Sequence, residues 1–173
     1  SYVYKRYHEI ADHYNNKNKP NHKQFIINSI KKNGEIISNK RRQVIIADLG
    51  CGPTPIEKLS SFPDNFKFIN VDHMGSNNPI IHKYDITDTK KLIGNTSIDI
   101  VVMSLSMWGN ESNKNYYKYL EEVRRILKND GVFLIVEPVE RWYSDSGNKL
   151  LELLKTNNFE VTYQTGNKEE GDK

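Results

Sequence analysis

Residues 44–52, with the sequence Val-Ile-Ile-Ala-Asp-Leu-Gly-Cys-Gly, constrain the fold more than any other part of the chain. An apolar run of strand length reaches Asp48, and Cys51 then separates two glycines, Gly50 and Gly52. Glycines after a buried strand let the backbone approach a ligand closely, because they carry no side chain to obstruct it. The segment therefore predicts a ligand-binding turn at the carboxyl end of a strand.

Two common nucleotide-binding motifs do not fit the residues around this turn. The dinucleotide fingerprint has a third glycine for helix packing, whereas residues 53–55 here are Pro-Thr-Pro. A P-loop needs Gly-Lys followed by Ser or Thr, and the turn has no such sequence. The turn is thus neither a complete dinucleotide fingerprint nor a P-loop.

The rest of the chain alternates between strand and helix patterns. The sequence predicts strands at residues 44–49, 66–72, 80–84, 98–104, 132–137 and 159–164, and helices at 2–16, 21–32, 54–61, 113–127 and 145–156, with a helical turn at 87–92. Asn-Gly at residues 33–34 and Asn-Asp-Gly at 129–131 predict turns. This alternation is typical of an α/β fold with a doubly wound, mostly parallel, Rossmann-like sheet. We expect a helical N-terminal extension, residues 1–43, to pack on a domain formed by residues 44–173.

Acidic residues stand at the ends of two further predicted strands. Asp72 ends the second strand, where a carboxylate can accept both hydrogen bonds of a ribose diol or can cap a turn. Asp85 follows the third strand and precedes Thr87, so it is either a ligand-binding acid or a helix cap. Because the carboxyl ends of parallel strands meet at one edge, these acids are expected near the glycine turn.

Several of these segments together resemble the class I S-adenosylmethionine-dependent methyltransferases, and among them the ribosomal-RNA-processing protein 8 family. That family modifies N1 of an adenine in large-subunit ribosomal RNA. The resemblance covers most of residues 7–165. It rests on a Tyr-His pair at residues 7–8, the motif at 46–52, Asp72, Asp85, Leu-Ser-Met-Trp-Gly-Asn at 105–110, Leu-Glu-Glu-Val-Arg-Arg-Ile-Leu-Lys at 120–128, and Glu137.

The resemblance implies S-adenosylmethionine as cofactor, with S-adenosylhomocysteine as product. The turn glycines Gly50 and Gly52 would lie under its methionine part, and Asp48 and Cys51 would also belong to the cofactor site. Asp72 would bind the ribose, and His73 would lie beside the adenosine. At the adenine, Asp85 would accept a hydrogen bond from the amino group and Ile86 would pack on the ring. His8 would close the cofactor pocket, and Ser104 would border it.

The end of the fourth strand corresponds in this family to the place where the target atom meets the methyl group. It lacks Asn-Pro-Pro-Tyr and Pro-Cys, which argues against methylation of exocyclic amines and of cytosine C5. The candidate substrate-side residues are Ser104, Leu105, Ser106, Trp108 and Glu137. Trp108 either stacks on a base or closes the pocket, and Glu137 either reaches the substrate or is a structural acid.

The N-terminal quarter of the chain is strongly basic. Residues 1–45 contain ten lysines and arginines against three acids, although the net charge of the whole chain is +3. Such a segment favours a polyanionic partner, and basic residues 17–42 are expected to contact RNA. The alternative is a lysine-rich, solvated helix surface without a nucleic-acid partner.

Other features narrow the class of protein. Cys51 is the single cysteine, so no disulfide framework or thiolate zinc site is expected, and the histidines lack metal-ligand spacing. No signal peptide or 18-residue apolar run is present, which predicts a nuclear, nucleolar or cytoplasmic protein rather than a secreted or membrane one.

Alternatives to an RNA methyltransferase are a small-molecule or protein methyltransferase and a non-catalytic S-adenosylmethionine-binding module. The last residue comes where the methyltransferase fold normally turns into a seventh, antiparallel strand, so this strand is expected to be missing from the sequence.

Overall fold

A computed structural model describes residues 22–74, 77–107, 115–136 and 147–161 of the 173-residue chain. These residues form helices α1 (His22–Ser38), α2 (Asn115–Ile126) and α3 (Gly147–Thr156), and strands β1 (Val44–Leu49), β2 (Phe66–Asp72), β3 (Ile81–Lys83), β4 (Ile98–Ser104) and β5 (Leu127–Val136). The helix predicted for residues 2–16 and any seventh strand lie outside the described residues.

The five strands form one sheet in the order β3-β2-β1-β4-β5, and every described pair is parallel. The chain moves outward from β1 to β3, returns to β4 beside β1, and then continues to β5. The strand order therefore reverses between β1 and β4, and in open α/β sheets the crevice outside the carboxyl ends at such a point binds ligands. The predicted doubly wound, parallel sheet is confirmed.

Helix α1 covers one face of the sheet. Side chains on this face of the strands alternate with those on the other face, because successive residues of a strand point to opposite sides. The cluster under α1 combines apolar residues of the helix with residues of β1, β2 and β4 (Ile26, Ile27, Ile30, Ile37, Val44, Ile46, Phe66, Ile100 and Val102). The helix that starts in the basic N-terminal segment thus contributes to the core.

Helices α2 and α3 pack on the opposite face. Their core consists of the remaining apolar positions of the central strands and one face of each helix (Ala47, Leu49, Val101, Met103, Tyr119, Leu120, Val123, Ile126, Leu153 and Leu154). The described helices do not have the length and apolar character needed to cross a membrane.

The turn predicted at residues 33–34 is wrong, because both residues lie inside α1. Gly34 is buried where the helix passes over Phe66, and a Cβ atom there would lie 2.2 Å from the Cζ atom of that ring. The glycine therefore permits close packing of helix on strand rather than ending the helix.

The Asn-Asp-Gly turn predicted before the fifth strand lies within β5 as a register irregularity. Ile98 pairs with Leu127 and Ile100 with Val132, so residues 128–131 bulge out of the ladder. Asp130 lies in this bulge, and both of its carboxylate oxygens accept hydrogen bonds from Arg41 Nη2, at 2.6 and 2.8 Å. The bulge is thus held by an ion pair with the segment that precedes β1.

Two shorter predictions also differ from the structure. The helix predicted at 54–61 is reduced to a single 3-10 turn, Ile56–Lys58, with Pro55 as its N-cap. Thr54 precedes Pro55, and a residue before proline disfavours helical backbone, so the predicted helix does not begin at residue 54. Residues 159–161 of the predicted sixth strand are not in a strand. The helical turn predicted at 87–92, in contrast, agrees with hydrogen bonds from the N–H groups of Leu92 and Ile93 to the carbonyl of Thr89.

Candidate functional site

The turn after β1 is held by backbone hydrogen bonds to the neighbouring strand. The N–H groups of Gly50 and Cys51 both donate to the carbonyl of Val71, at 2.7 and 3.0 Å. Gly50 and Gly52 have φ angles of +73° and +68°, a region that residues with a Cβ atom rarely adopt. The two glycines therefore provide the backbone conformation that the turn requires.

Gly50 also permits a close contact with the segment after β4. A Cβ atom at position 50 would lie 2.4 Å from the Cβ atom of Ser106. The buried Ser106 hydroxyl donates to the carbonyl of Leu49 at 2.8 Å, which fixes the two segments together. At Gly52, by contrast, a Cβ atom would meet no atom of the described chain within 4 Å.

Asp48 lies beneath the turn and is 2 % exposed. Its Oδ2 atom accepts the N–H of Ile56 at 3.1 Å, so it anchors the far end of the turn. Burial raises the pKa of Asp48 to about 6, although the Ile56 hydrogen bond and the positive charge of Lys23 oppose this effect. Asp48 thus stabilises the turn, although burying its carboxylate costs desolvation free energy.

Asp72, at the end of β2, bonds to the turn from its other side. Its Oδ2 atom accepts the N–H of Gly52 at 2.9 Å, and its Oδ1 atom accepts the N–H of Met74 at 3.0 Å. Each carboxylate oxygen has two lone pairs, so these backbone bonds are compatible with further bonds to a ligand. The neighbouring His73 is exposed.

The thiol of Cys51 is partly buried between these acids. Burial raises the pKa of this thiol well above its usual range, and the charges of Asp48 and Asp72 act in the same direction. The thiol is therefore protonated at neutral pH and is unsuited to nucleophilic catalysis.

Asp85 and Ile86 follow β3 at the same edge of the sheet. The exposed Asp85 accepts hydrogen bonds at Oδ1 from the backbone N–H and the hydroxyl of Thr87, at 2.9 and 2.7 Å. It therefore caps a turn, while Oδ2 has no partner among the described residues. Ile86 is buried, with its Cδ1 atom 3.7 Å from the position that a Cβ atom of Gly50 would occupy.

The segment after β4 has an unusual backbone conformation. Leu105 has a φ angle of +56°, and its N–H donates to the carbonyl of Val136 at 2.8 Å. A non-glycine residue in this region costs about 1–3 kcal/mol and persists only where its surroundings impose it. Ser104 is half-buried before this bend, and Met107 is buried after it.

The structure brings the predicted cofactor residues of β1, β2 and the β4 end to one edge of the sheet. Three of the predicted site residues, His8, Trp108 and Glu137, lie outside the described residues. Within the described ranges, no three His, Cys, Asp or Glu side chains are grouped so that they could hold a metal ion.

Comparison with known protein families identifies the class of the protein. Residues 2–170 match a family described as hypothetical methyltransferase. The chain belongs to this family. The recognised relationship to methyltransferases is thereby confirmed, and the match includes the glycine turn, the strand-end acids and the segment after β4.

Curated relatives are named for ribosomal RNA. The chain is 32% identical over 112 residues to ribosomal RNA-processing protein 8 of Arabidopsis thaliana, covering 65% of this chain and 35% of that protein. It is 28% identical over 124 residues to the 25S rRNA (adenine(645)-N(1))-methyltransferase of Schizosaccharomyces pombe, covering 72% and 37%. The chain thus spans just over a third of the length of these relatives, and the predicted family resemblance is confirmed.

Solved structures agree on the fold. A SAM-dependent methyltransferase from Aquifex aeolicus aligns with a TM-score of 0.52 at 12% identity, covering 78% of this chain and 82% of that one. One from Archaeoglobus fulgidus aligns with a TM-score of 0.52 at 15% identity, covering 80% and 69%. These alignments confirm the Rossmann-like methyltransferase fold.

The basic residues near β1 are divided between two environments. Lys40 and Arg42 are exposed, whereas the Arg41 guanidinium binds Asp99 at 3.1 Å and also binds Asp130. Asp99 is fully buried, and it also accepts a bond from Lys128 Nζ at 3.0 Å. Arg41, one of the basic residues 17–42 that were expected to contact RNA, therefore binds a buried carboxylate instead of lying free at the surface like Lys40 and Arg42.

Sequence reasoning missed a second group of polar residues, on the far side of the Asp85 turn. Thr89, Glu122 and Arg125 form a hydrogen-bonded cluster between that turn and α2. The spacing of Glu122 and Arg125 on a helix allows an ion pair. Thr89, however, is distant in sequence, and no local pattern indicates its contact with Glu122.

Proposed function

We propose that this chain is an S-adenosylmethionine-dependent methyltransferase that acts on RNA, with an adenine N1 of ribosomal RNA as its target. The observation that carries the cofactor assignment is the arrangement at Gly52. Its α-carbon faces open space, while its N–H donates to Asp72, the acid expected to bind the ribose. A ligand can therefore lie against the glycine and reach that carboxylate.

The residues present fit this cofactor in charge and leave open space for it at Gly52. The methionine part would lie against the turn at Gly52, where no side chain of the described residues fills the space. The ribose hydroxyls would donate to Asp72, and the adenine would lie between Asp85 and Ile86. Carboxylates at this edge favour a positively charged sulfonium.

The protein itself contributes little covalent chemistry to this reaction. When bound, S-adenosylmethionine supplies a methyl group that is already activated. The residues of the chain hold the cofactor and align the acceptor nitrogen with the methyl carbon. The left-handed bend at Leu105 and the Ser106 hydrogen bond to Leu49 would hold the segment after β4, on the substrate side, against the glycine turn that binds the cofactor. An adenine N1 is unprotonated at neutral pH, so no strong general base is required.

The RNA substrate is supported by the names of the relatives and by the exposed basic residues. Lys40 and Arg42 precede β1, at the opposite edge of the sheet from the glycine turn, about 20 Å away for a six-residue strand. They would therefore contact RNA that flanks the target rather than the target base itself. With a ribosomal RNA substrate, the protein would be nuclear (nucleolar) or cytoplasmic.

Replacing Asp72 by alanine should weaken binding of S-adenosylhomocysteine by about 1–3 kcal/mol, or roughly 5- to 150-fold. The variant loses a charge-assisted bond to the ribose and the acceptor for the Gly52 N–H. Isothermal titration calorimetry on the purified protein measures this change directly. Unchanged affinity would show that Asp72 is only a turn cap.

Two matched variants complete that experiment. Asp72→Asn keeps one acceptor oxygen and should bind with intermediate affinity. Asp64→Ala removes an exposed acid from the turn before β2 and should bind normally. No binding of S-adenosylhomocysteine by the unmodified protein would reject the proposed function as a whole.

Reversing the charge of Lys40 and Arg42 together should weaken RNA binding and lower the slope of its salt dependence by about 2, one for each lost phosphate contact. Arg41 is kept, because its reversal would break the ion pairs with Asp99 and Asp130. Fluorescence anisotropy with a labelled ribosomal RNA fragment at several salt concentrations measures both quantities.

The control for RNA binding reverses two exposed lysines on the helices of the other sheet face, Lys118 and Lys155. This variant changes the net charge equally but should leave the salt slope closer to that of the unmodified protein. Equal effects of the two double variants would mean that the basic segment has no specific role. A small-molecule or protein substrate would then be favoured.

A further inference from the structure

The turn that carries Asp85 and Ile86 is held from behind by a buried carboxylate. Glu122, on α2, is 4 % exposed, and its Oε2 atom accepts hydrogen bonds from both the N–H and the hydroxyl of Thr89, the latter at 3.0 Å. Thr89 is completely buried. A single side chain of α2 therefore fixes the backbone and the side chain of this residue in the β3–β4 connection.

Arg125 completes the cluster and keeps Glu122 charged. Its Nε atom donates to Glu122 Oε1, and its Nη1 and Nη2 atoms donate to Asn95 Oδ1 at 2.8 Å and Thr89 Oγ1 at 3.3 Å. Burial raises the pKa of Glu122, but hydrogen bonds from Arg125 and Thr89 outweigh it, so that the pKa is lowered overall. The carboxylate is thus ionised at neutral pH and accepts charge-assisted bonds, which are stronger than neutral ones.

A short path links this cluster to the proposed adenine site. Asp88 N–H donates to the carbonyl of Asp85 at 2.9 Å, and Thr89 follows directly. The carbonyl of Thr89 in turn accepts the N–H groups of Leu92 and Ile93, at 2.9 and 2.8 Å. A displacement of Thr89 would therefore be transmitted through one tight turn to the Asp85 carboxylate.

We propose that Glu122 is a positioning residue that sets the selectivity of the cofactor site for adenine. It acts by holding Thr89, and with it the turn that presents Asp85 and Ile86 to the base. This inference rests on the proposed function, because it assumes that the base lies against this turn. Glu122 touches neither cofactor nor substrate in this scheme.

The selectivity can be measured without any methyl transfer. S-inosylhomocysteine differs from S-adenosylhomocysteine at the purine ring: an oxo group replaces the amino group that would donate a hydrogen bond to Asp85, and N1 carries a hydrogen. We expect the unmodified protein to bind the adenosyl compound at least about tenfold more tightly, the effect of one lost hydrogen bond of roughly 1.4 kcal/mol. Calorimetric dissociation constants for both compounds give the ratio.

Glu122→Gln should reduce this ratio to about threefold or less, because the amide pairs poorly with the Arg125 donors and releases Thr89. The control Glu121→Gln changes an exposed residue of the same helix and should keep the full ratio. A loss of affinity for both compounds by the same factor, with the ratio unchanged, would overturn the proposal and leave Glu122 a purely structural residue.

A second pair of variants keeps the test valid if Glu122→Gln does not fold. Thr89→Ser retains the hydroxyl and should preserve the ratio, whereas the near-isosteric Thr89→Val loses the hydroxyl and should lower it. Equal ratios for these two variants would contradict the proposal. If the unmodified protein binds both compounds equally, Asp85 does not read the amino group and the inference fails. Binding of neither compound would instead reject the proposed function itself.

Discussion

Gly50→Ala is expected to lower the free energy of unfolding by about 3–5 kcal/mol, the combined cost of overpacking and of a left-handed backbone at a non-glycine residue. The added Cβ atom would lie 2.4 Å from the Cβ atom of Ser106, which is itself fixed by its bond to Leu49. Either the turn or the segment after β4 must move. Urea unfolding followed by circular dichroism measures the loss.

Gly52→Ala is the matched control, because it shares the left-handed φ angle but has no atom within 4 Å of the new Cβ position. It should cost only about 1–2 kcal/mol of stability, the backbone cost alone. If the cofactor occupies that open space, the same variant should nevertheless bind S-adenosylhomocysteine poorly. Equal destabilisation by the two variants would contradict the packing argument, and normal ligand binding by Gly52→Ala would move the cofactor away from this turn.

Asp48→Asn should remove a large pH-dependent penalty on folding. The pKa of Asp48 is about 6 in the folded protein against an ordinary value of 3.8, a difference worth about 3 kcal/mol. The folded state binds the proton of the Asp48 carboxyl more tightly than the unfolded state does. The stability that this proton contributes is therefore present below pH 4 and is lost as the pH rises through 6. Asparagine keeps an acceptor for the Ile56 N–H but carries no charge.

The difference in unfolding free energy between Asp48→Asn and the unmodified protein should therefore shift in favour of the variant by up to about 3 kcal/mol between pH 4 and pH 8. Comparing the two proteins at each pH cancels the contributions of all other titrating groups. Asp64→Asn, at an exposed acid, should give a difference that varies little. A pH-independent difference for Asp48→Asn would mean that Asp48 is solvated or paired in the folded state.

The sequence predicted the central strands accurately and the connections poorly. The bounds of β1, β2 and β4 agree with the prediction, because buried parallel strands appear as nearly continuous apolar runs. Gly34 was assigned to a turn because local preference favours turns at Asn-Gly, whereas its contact with the Phe66 ring is a tertiary one. The bulge in β5 likewise depends on Arg41, far away along the chain.

The candidate site was predicted in outline for a similar reason. Strand ends and glycines are visible in the sequence, and they placed Asp48, Asp72 and Gly50 at one edge of the sheet. The hydrogen bonds that these acids make to Ile56 and Gly52 are not visible there, nor is the link between Thr89 and Glu122. Such contacts arise from the fold as a whole and leave no periodic pattern.

The position of α1 in the core bears on how this protein can change during evolution. The helix supplies four buried isoleucines to a sheet face that β1, β2 and β4 otherwise leave open, and Arg41 joins its end to the β4–β5 edge. The basic segment cannot then be exchanged or lost as an independent module without exposing that face. Substitutions on the exposed side of α1 must keep its inner isoleucines, so changes to this basic surface remain tied to the stability of the fold.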